Sequence, residues 1–206
     1  MSARVTNGSP FAALRRFAQP SAPQERCELC NMALAPVHRH LLEVANRRVY
    51  CACDACALRF QGVIAGRFKL IPRDAHRVAG MTISDTQWEG MALPINMAFF
   101  LFSTPAGKMI ALYPSPAGAT ESLLPLETWS ALVTANPVLG RMEPDVEALL
   151  VNRVGEASDY LIAPIDACFE LAGLIRMHWR GLSGGDEVWR RIGGFFEKLK
   201  AEACDA

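Results

Sequence analysis

The C-terminal part of the chain places apolar residues at the three- and four-residue spacing of amphipathic helices. One such stripe follows the acidic pair Asp186-Glu187 and predicts the final helix, with Lys198 and Lys200 near its negative end. The apolar members of the stripe are Val188, Ile192, Phe195, Phe196 and Leu199. The segment Ser183-Gly184-Gly185 interrupts the pattern, so we expect the preceding helix to end before it.

That preceding helix is predicted to run from Asp166 through Trp179. Apolar residues recur at helical spacing within it, and the Asp166 carboxylate can cap its first turn. A short strand over residues 161–165 is expected in front of the helix.

Two further helices are predicted upstream. One begins after Pro125 and has an apolar face made of Leu126, Trp129, Leu132 and Val133. The other is short and opens at Pro144. The acidic residues Asp145 and Glu147 would lie in its first turn, where the helix dipole favours negative charge.

The middle of the chain has the pattern of β-structure. An apolar stretch interrupted by a Thr-Pro-Ala-Gly turn predicts a hairpin of residues 92–103 and 108–113. Residues 67–71 predict another strand, which ends at Pro72. We expect residues 73–87 and 115–120 to be loops, because turn-forming and small residues are frequent in them.

The N-terminal 23 residues differ from the rest of the chain. Ser9-Pro10 followed by apolar residues predicts a short amphipathic helix, and residues 20–23 have the composition of a linker. No apolar stretch follows Arg15-Arg16, as a secretory or twin-arginine signal would require. With seven cysteines and no such signal, we expect a cytoplasmic protein whose clustered cysteines hold metal rather than form disulfides.

Composition excludes several classes of protein. The chain has 206 residues, of which 51% are hydrophobic and 20% charged, as in globular domains. Its longest central apolar run, Met97 to Phe102, is far shorter than a membrane-spanning helix. The net charge of zero conceals an asymmetry: residues 1–80 carry a net +7 and residues 81–206 a net −7. This asymmetry can either steer a partner of opposite charge or be neutralised by contact between the two halves.

Two CxxC pairs carry the clearest chemical signal. Cys27 and Cys30 form the first pair and Cys53 and Cys56 the second, with 22 residues between them. Each CxxC turn can direct two thiolates at one ion, and two such turns complete a tetrahedral site. The alternatives are buried free thiols or a redox disulfide. Zn²⁺ is the expected ion and iron the alternative, because tetrahedral thiolate sites suit both.

The residues between the two pairs predict how the site is built. Residues 40–44 and 48–51 have the pattern of two strands, and Asp54 can cap a helix that follows them. The order of turn, hairpin and helix start resembles a treble-clef zinc finger. A helix N-terminus would lower the pKa of Cys53 and Cys56, and metal binding would supply the folding energy that so small a module lacks.

Three further residues lie close to this constellation. Cys51 could replace Cys53 as a ligand, serve as an additional thiolate in an iron–sulfur cluster, or cover the site without binding. His38 and His40 would point to one side of the hairpin, either as ligands or as hydrogen-bond donors to a thiolate. Of the remaining cysteines, we interpret Cys168 as a core residue and Cys204 as an exposed thiol.

The expected fold class is therefore α+β. A small four-cysteine zinc-finger-like module, residues 24–66, is joined to a mixed domain, residues 67–206, with a central hairpin or antiparallel sheet and C-terminal helices. Residues 1–23 form the N-terminal helix and linker. HExxH and GxGxxG motifs do not occur in the sequence, so we do not expect an enzyme.

Five segments together resemble a bacterial family whose members are encoded beside oxygen-tolerant, actinobacterial-type [NiFe]-hydrogenases. The resemblance extends over most of residues 24–200 and is most specific in the cysteine block. The segments are residues 25–30, 38–41, 51–58, 113–121 and 177–181. The resemblance implies a genomic neighbourhood, and through it a role as a hydrogenase accessory protein.

The leading hypothesis is thus a non-catalytic, metal-binding accessory protein that contacts a hydrogenase subunit or a maturation factor. One alternative is a rubredoxin-like electron-transfer protein with iron at the same cysteines. Another is a nucleic-acid-binding zinc finger, whose phosphate contacts would come from Arg39, Arg47, Arg48 and Arg59. The acidic second half and the few aromatic residues in the module disfavour nucleic acid. The sequence does not indicate an oligomeric state.

Overall fold

The computed structural model describes residues 24–63, 66–122 and 129–206. The predicted N-terminal helix and linker lie outside these ranges. So does the beginning of the helix predicted after Pro125. Within the described residues the predicted α+β class is confirmed. The structure has two predominantly antiparallel sheets, with helices on both sides of the larger one.

The larger sheet has seven strands, all antiparallel to their neighbours except for one short parallel pair at an edge. In chain order the strands are β4 (His76–Arg77), β5 (Met97–Ser103), β6 (Lys108–Ser115), β7 (Gly118–Glu121), β8 (Glu147–Asn152), β9 (Asp159–Pro164) and β10 (Cys204–Asp205). In space they follow the order β10-β4-β9-β8-β5-β6-β7. The predicted central hairpin is confirmed as β5 and β6, with Ser103 opposite Lys108.

Both faces of this sheet are buried, which explains the continuous apolar runs in its strands. Phe99 and Leu150 belong to a core on one face, whereas Phe100 and Leu149 belong to a second core on the other. Successive strand residues point to opposite faces, so a strand covered on both sides has no polar positions to alternate with apolar ones.

Helices cover each face. On the first face lie α4 (Ile165–His178) and α5 (Asp186–Glu202), both at the predicted positions. On the second lie α2 (Asp85–Gly90), α3 (Trp129–Ala135) and a 3-10 turn over Pro137–Arg141. In the described parts of the chain, no helix combines the length and the apolar character needed to cross a membrane.

The prediction of a short helix at Pro144 is wrong, because the residues that follow Val146 form strand β8. Asp145 has a positive φ of 71° and accepts a hydrogen bond from the backbone N–H of Thr104 at 2.7 Å. Its carboxylate also pairs with Lys69 at 2.9 Å. The acidic residue therefore anchors a turn to neighbouring elements instead of starting a helix.

Two segments predicted to be loops contain regular structure. Residues 73–87 include β4 and the start of α2, where Ser84 and Gln87 form a reciprocal capping box. Residues 115–120 include a tight turn into β7, at which Gly118 has a φ of 109°. The first hairpin strand begins at Met97 instead of residue 92, because the preceding residues form the turn that ends α2.

The smaller sheet has three strands in the order β2-β1-β3 and carries the cysteine module. Its elements are β1 (Arg39–Glu43), β2 (Arg48–Ala52), α1 (Asp54–Val63) and β3 (Phe68–Leu70). The predicted sequence of hairpin and helix is present, and β3 pairs with β1 beyond residue 66. Within the described part of this module, a separate core of four buried residues holds it together: Leu41, Ala52, Ala57 and Phe68.

Opposite charges join the smaller sheet to the rest of the protein. Arg47 donates two hydrogen bonds to Glu121, each at 3.1 Å, and Lys69 contacts Asp145. Leu42 and Ile71 extend from the small sheet into the first core of the large sheet. Part of the charge asymmetry between the two halves of the sequence is thus neutralised inside the molecule.

We predict that Phe100→Ala destabilises the protein by about 3–5 kcal/mol, the usual cost of deleting a fully buried aromatic side chain. Phe100 is fully buried and contacts the rings of Trp88 and Trp129. Phe102 lies on the same strand and is 39% exposed, so Phe102→Ala should cost less than half as much. Urea unfolding followed by circular dichroism measures both, and equal losses would contradict the assignment of this core.

Candidate metal centre

Cys27 and Cys30 are positioned by a tight turn at the start of the described chain. Arg26 and Ala33 form an isolated antiparallel bridge, and the Cys27 N–H donates to the carbonyl of Met32 at 2.8 Å. Asn31 adopts a left-handed φ of 63°, a conformation that asparagine tolerates better than most residues. The backbone bonds thus close the turn and leave both thiols free to face the helix opposite.

Cys53 and Cys56 lie at the N-terminus of α1. The Cys53 carbonyl accepts the hydrogen bond from Ala57 N–H at 2.8 Å, so Cys53 directly precedes the helix and Cys56 lies in its first turn. Glu28 connects the turn of the first cysteine pair to β2, the strand that directly precedes the second pair. Its N–H donates to the Cys51 carbonyl at 2.9 Å, and its carboxylate accepts from the Cys51 N–H at 2.8 Å.

The four predicted ligands come together. The sulfur atoms of Cys27, Cys30, Cys53 and Cys56 all lie within 4.8 Å of one another, and Cys30 and Cys53 are 3.7 Å apart. A tetrahedral ion bound at about 2.3 Å from each sulfur places the sulfurs about 3.8 Å apart. A disulfide would instead require about 2.05 Å, and all four cysteines are free. This group could therefore hold a metal ion.

Two of the four thiols have pKa values that their surroundings shift in opposite directions. Burial acts to raise the pKa of Cys27, but backbone N–H groups of Cys53 and Leu29 donate to its sulfur and lower the pKa to about 6. Burial, with the sulfur atoms around it, raises the pKa of Cys56 above its ordinary value. Like charges at this distance disfavour one another, so full ionisation of the group needs a cation among the sulfurs.

Cys51 is not part of the four-sulfur group. It lies directly across the strand pair from His40, and its sulfur is within 4.8 Å of ring nitrogens of His40 and His38. The two histidines do point to the same side, as expected from their spacing, with their Nε2 atoms 3.2 Å apart.

Asp166 is a site residue that the sequence did not reveal. Its carboxylate lies 2.6 Å from Nδ1 of His40, although the two residues are 126 positions apart. This hydrogen bond raises the pKa of His40, while burial opposes the rise. The expected role of Asp166 as a helix cap was wrong: it lies in the first turn of α4, which Pro164 precedes.

A cavity of about 260 Å³ opens between the small sheet and the C-terminal helices. Histidines and charged side chains from four different segments line it, among them His38, His40, Arg73, Asp166 and Lys198. None of these segments are neighbours in the sequence, so only the folded chain brings this polar lining together.

The comparison with protein families gives one match, to DUF5947, over residues 26–203. The chain belongs to this family. DUF5947 is described as a family of unknown function. The match begins immediately before Cys27, so the DUF5947 region contains the four cysteines, both histidines and Asp166. No curated protein and no solved structure matches the chain.

We predict that Cys30→Ser sharply weakens metal binding, whereas Cys204→Ser does not. Both thiols are exposed, but only Cys30 belongs to the four-sulfur group. Loss of a direct ligand should cost more than the roughly 10–100-fold that follows from removing a hydrogen-bond partner of a ligand. Competition titration with a chromophoric zinc chelator measures the affinity, and equal affinities for the two variants would contradict the site.

Proposed function

We propose that this protein is a non-catalytic accessory protein that binds Zn²⁺ through Cys27, Cys30, Cys53 and Cys56. In this proposal it assists the assembly or maturation of a [NiFe]-hydrogenase through protein–protein contacts. The convergence of four sulfurs from two separate turns is the observation that carries the metal assignment. A zinc ion with four protein ligands has no open position for substrate, which is the arrangement of structural rather than catalytic zinc.

A structural ion also agrees with the small size of the core around it. Among the residues that the structure describes, the core of the three-stranded sheet contains four buried ones, with a few half-buried side chains packed against them. Structural zinc contributes on the order of 10–16 kcal/mol of apparent binding energy in small modules. Metal binding would therefore fix the position of the turn that carries Cys27 and Cys30 against α1.

The hydrogenase partner rests on the family resemblance seen in the sequence, and an apolar surface on the module supports a protein contact. Met32 is 59% exposed and Val37 is 75% exposed, and both line a shallow cavity of about 290 Å³ beside Cys53. Large apolar side chains grouped at a surface are typical of sites that another protein covers.

The nucleic-acid alternative receives less support from the structure, because three of the four arginines that suggested it, all except Arg59, form ion pairs. Arg39 pairs with Asp54 at 3.5 Å, Arg47 with Glu121 at 3.1 Å, and Arg48 with Glu28 at 3.2 Å. Partnered arginines offer a phosphate backbone less net positive charge than free ones.

The iron alternative uses the same four sulfurs, so the site geometry suits iron as well as zinc. Only the identity of the bound ion distinguishes the electron-transfer hypothesis from the zinc proposal.

The identity of the ion is tested by elemental analysis and visible absorption of protein purified without added metal. We expect zinc and a colourless solution, because Zn²⁺ has a filled d shell and no redox chemistry. Stoichiometric iron with strong thiolate-to-iron absorption would contradict the zinc proposal and favour electron transfer.

The partner is tested by affinity capture from a bacterium that expresses the hydrogenase operon. The wild-type protein should recover a hydrogenase subunit or a maturation factor, and Val37→Asp should reduce the recovery at least several-fold. Leu182→Asp is the matched control, because Leu182 is also an exposed apolar residue but lies outside the module. If the wild-type protein recovers no hydrogenase-related protein, the proposed function is wrong.

A further inference from the structure

Two imidazoles and one thiol form a second cluster beside the four cysteines. His38 precedes β1, His40 lies within β1, and Cys51 is directly opposite His40 on β2. One ring nitrogen of each histidine and the Cys51 sulfur all lie within 4.8 Å of one another. The His38 side chain is 8% exposed and the His40 side chain is 31% exposed, so the fold partly encloses the cluster.

The hydrogen bonds of the two rings determine which nitrogens carry protons. Nδ1 of His38 lies 3.0 Å from the carbonyl of Ala35 and 3.6 Å from a carboxylate oxygen of Glu25. Both groups can only accept, so this nitrogen is the protonated one. Nδ1 of His40 likewise donates to the Asp166 carboxylate at 2.6 Å. In the neutral rings, the lone pair of each imidazole is therefore on Nε2.

These two Nε2 atoms are only 3.2 Å apart. Two facing lone pairs repel each other unless a positive species lies near both of them. That species is either a proton shared between the rings or a metal ion bound by both. The nearby Cys51 sulfur favours the metal ion, because a thiolate adds a third strong ligand that a shared proton does not need.

We propose that Nε2 of His38, Nε2 of His40 and the Cys51 thiolate form a second transition-metal site that binds a divalent ion of the Zn²⁺ type. The site is separate from the four-cysteine centre, and it does not depend on the hydrogenase proposal. Metal-binding histidines commonly donate their other N–H to a carbonyl or a carboxylate, as both rings do here. Asp166 is then a positioning residue, which fixes the orientation of the His40 ring.

Three protein ligands leave a fourth position for a small ligand such as water, as in zinc sites that exchange ligands. Both histidines line the cavity of about 260 Å³ between the module and the C-terminal helices, which provides room for such a ligand. The four-cysteine centre has no equivalent vacancy, since its four sulfurs complete a tetrahedron. The four-cysteine centre therefore has all its coordination positions filled by protein, whereas the second site has one position open to a small ligand.

Cadmium-113 NMR of the full-length protein tests the proposal without any substitution. Protein loaded with ¹¹³Cd²⁺ should give two resonances of equal intensity, because four sulfurs and a mixed nitrogen–sulfur set shift the cadmium signal differently. A single four-sulfur resonance at saturating cadmium would overturn the proposal and leave the shared proton as the explanation of the histidine pair.

Variants then assign the second ion. Wild-type protein should bind two Zn²⁺ per chain, and His38→Gln and Cys51→Ser should each bind one. His76→Gln is the control, because His76 is a half-buried histidine on β4 outside the cluster, and it should still bind two. Asp166→Asn should bind two ions, with the affinity of the weaker one reduced about 10–100-fold.

Circular dichroism of each variant establishes that it is folded before its metal content is interpreted. If a folded His38→Gln protein still binds two zinc ions, the proposal is wrong. If that variant does not fold, ¹⁵N NMR of the wild-type histidines decides the matter. Zinc should shift the Nε2 resonances of both rings, and resonances that do not move on zinc addition would overturn the assignment.

Discussion

The close approach of four cysteine sulfurs is the constraint on which the small sheet depends. Two of the sulfurs come from a turn and two from the start of α1. The N–H and the carboxylate of Glu28 both bond to the backbone of Cys51, which ties the turn to the strand before α1. Four thiolates at this distance repel one another strongly, so the arrangement is stable as an anion only with a cation inside it. In our proposal the ion provides stabilisation that the small core beside it, four buried residues in the described part of the module, does not supply.

The same module is also held from outside, by contacts with the large sheet and its helices. The hydrogen bond from His40 to Asp166 and the bonds from Arg47 to Glu121 link residues of the basic half to acidic residues of the other half. These contacts position the His38, His40 and Cys51 cluster against the cavity next to α4 and α5. Candidate metal ligands in the first part of the chain are thereby connected to α4 through a contact between residues 126 positions apart.

Much of this organisation was predictable from the sequence where local signals were sufficient. The CxxC pairs, the hairpin between them and the stripe of α5 follow from spacing within a single element. The prediction of a helix at Pro144 was wrong because acidic residues favour both helix starts and turns. At Asp145, the contacts with Thr104 and Lys69 stabilise a turn. Strand β8 was missed because a strand buried on both faces has no alternating pattern. The pairing of His40 with Asp166 could not be predicted, since no local spacing relates them.

Hydrogen exchange of the full-length protein, before and after a chelator removes its metal, tests the central claim most directly. If an ion among the four sulfurs holds the module together, amides of β1, β2 and α1 should lose protection on metal removal, by at least tenfold. Amides of β5 and β8, which lie between two large cores, should keep theirs. Unchanged protection across β1, β2 and α1 in metal-free protein would contradict the account.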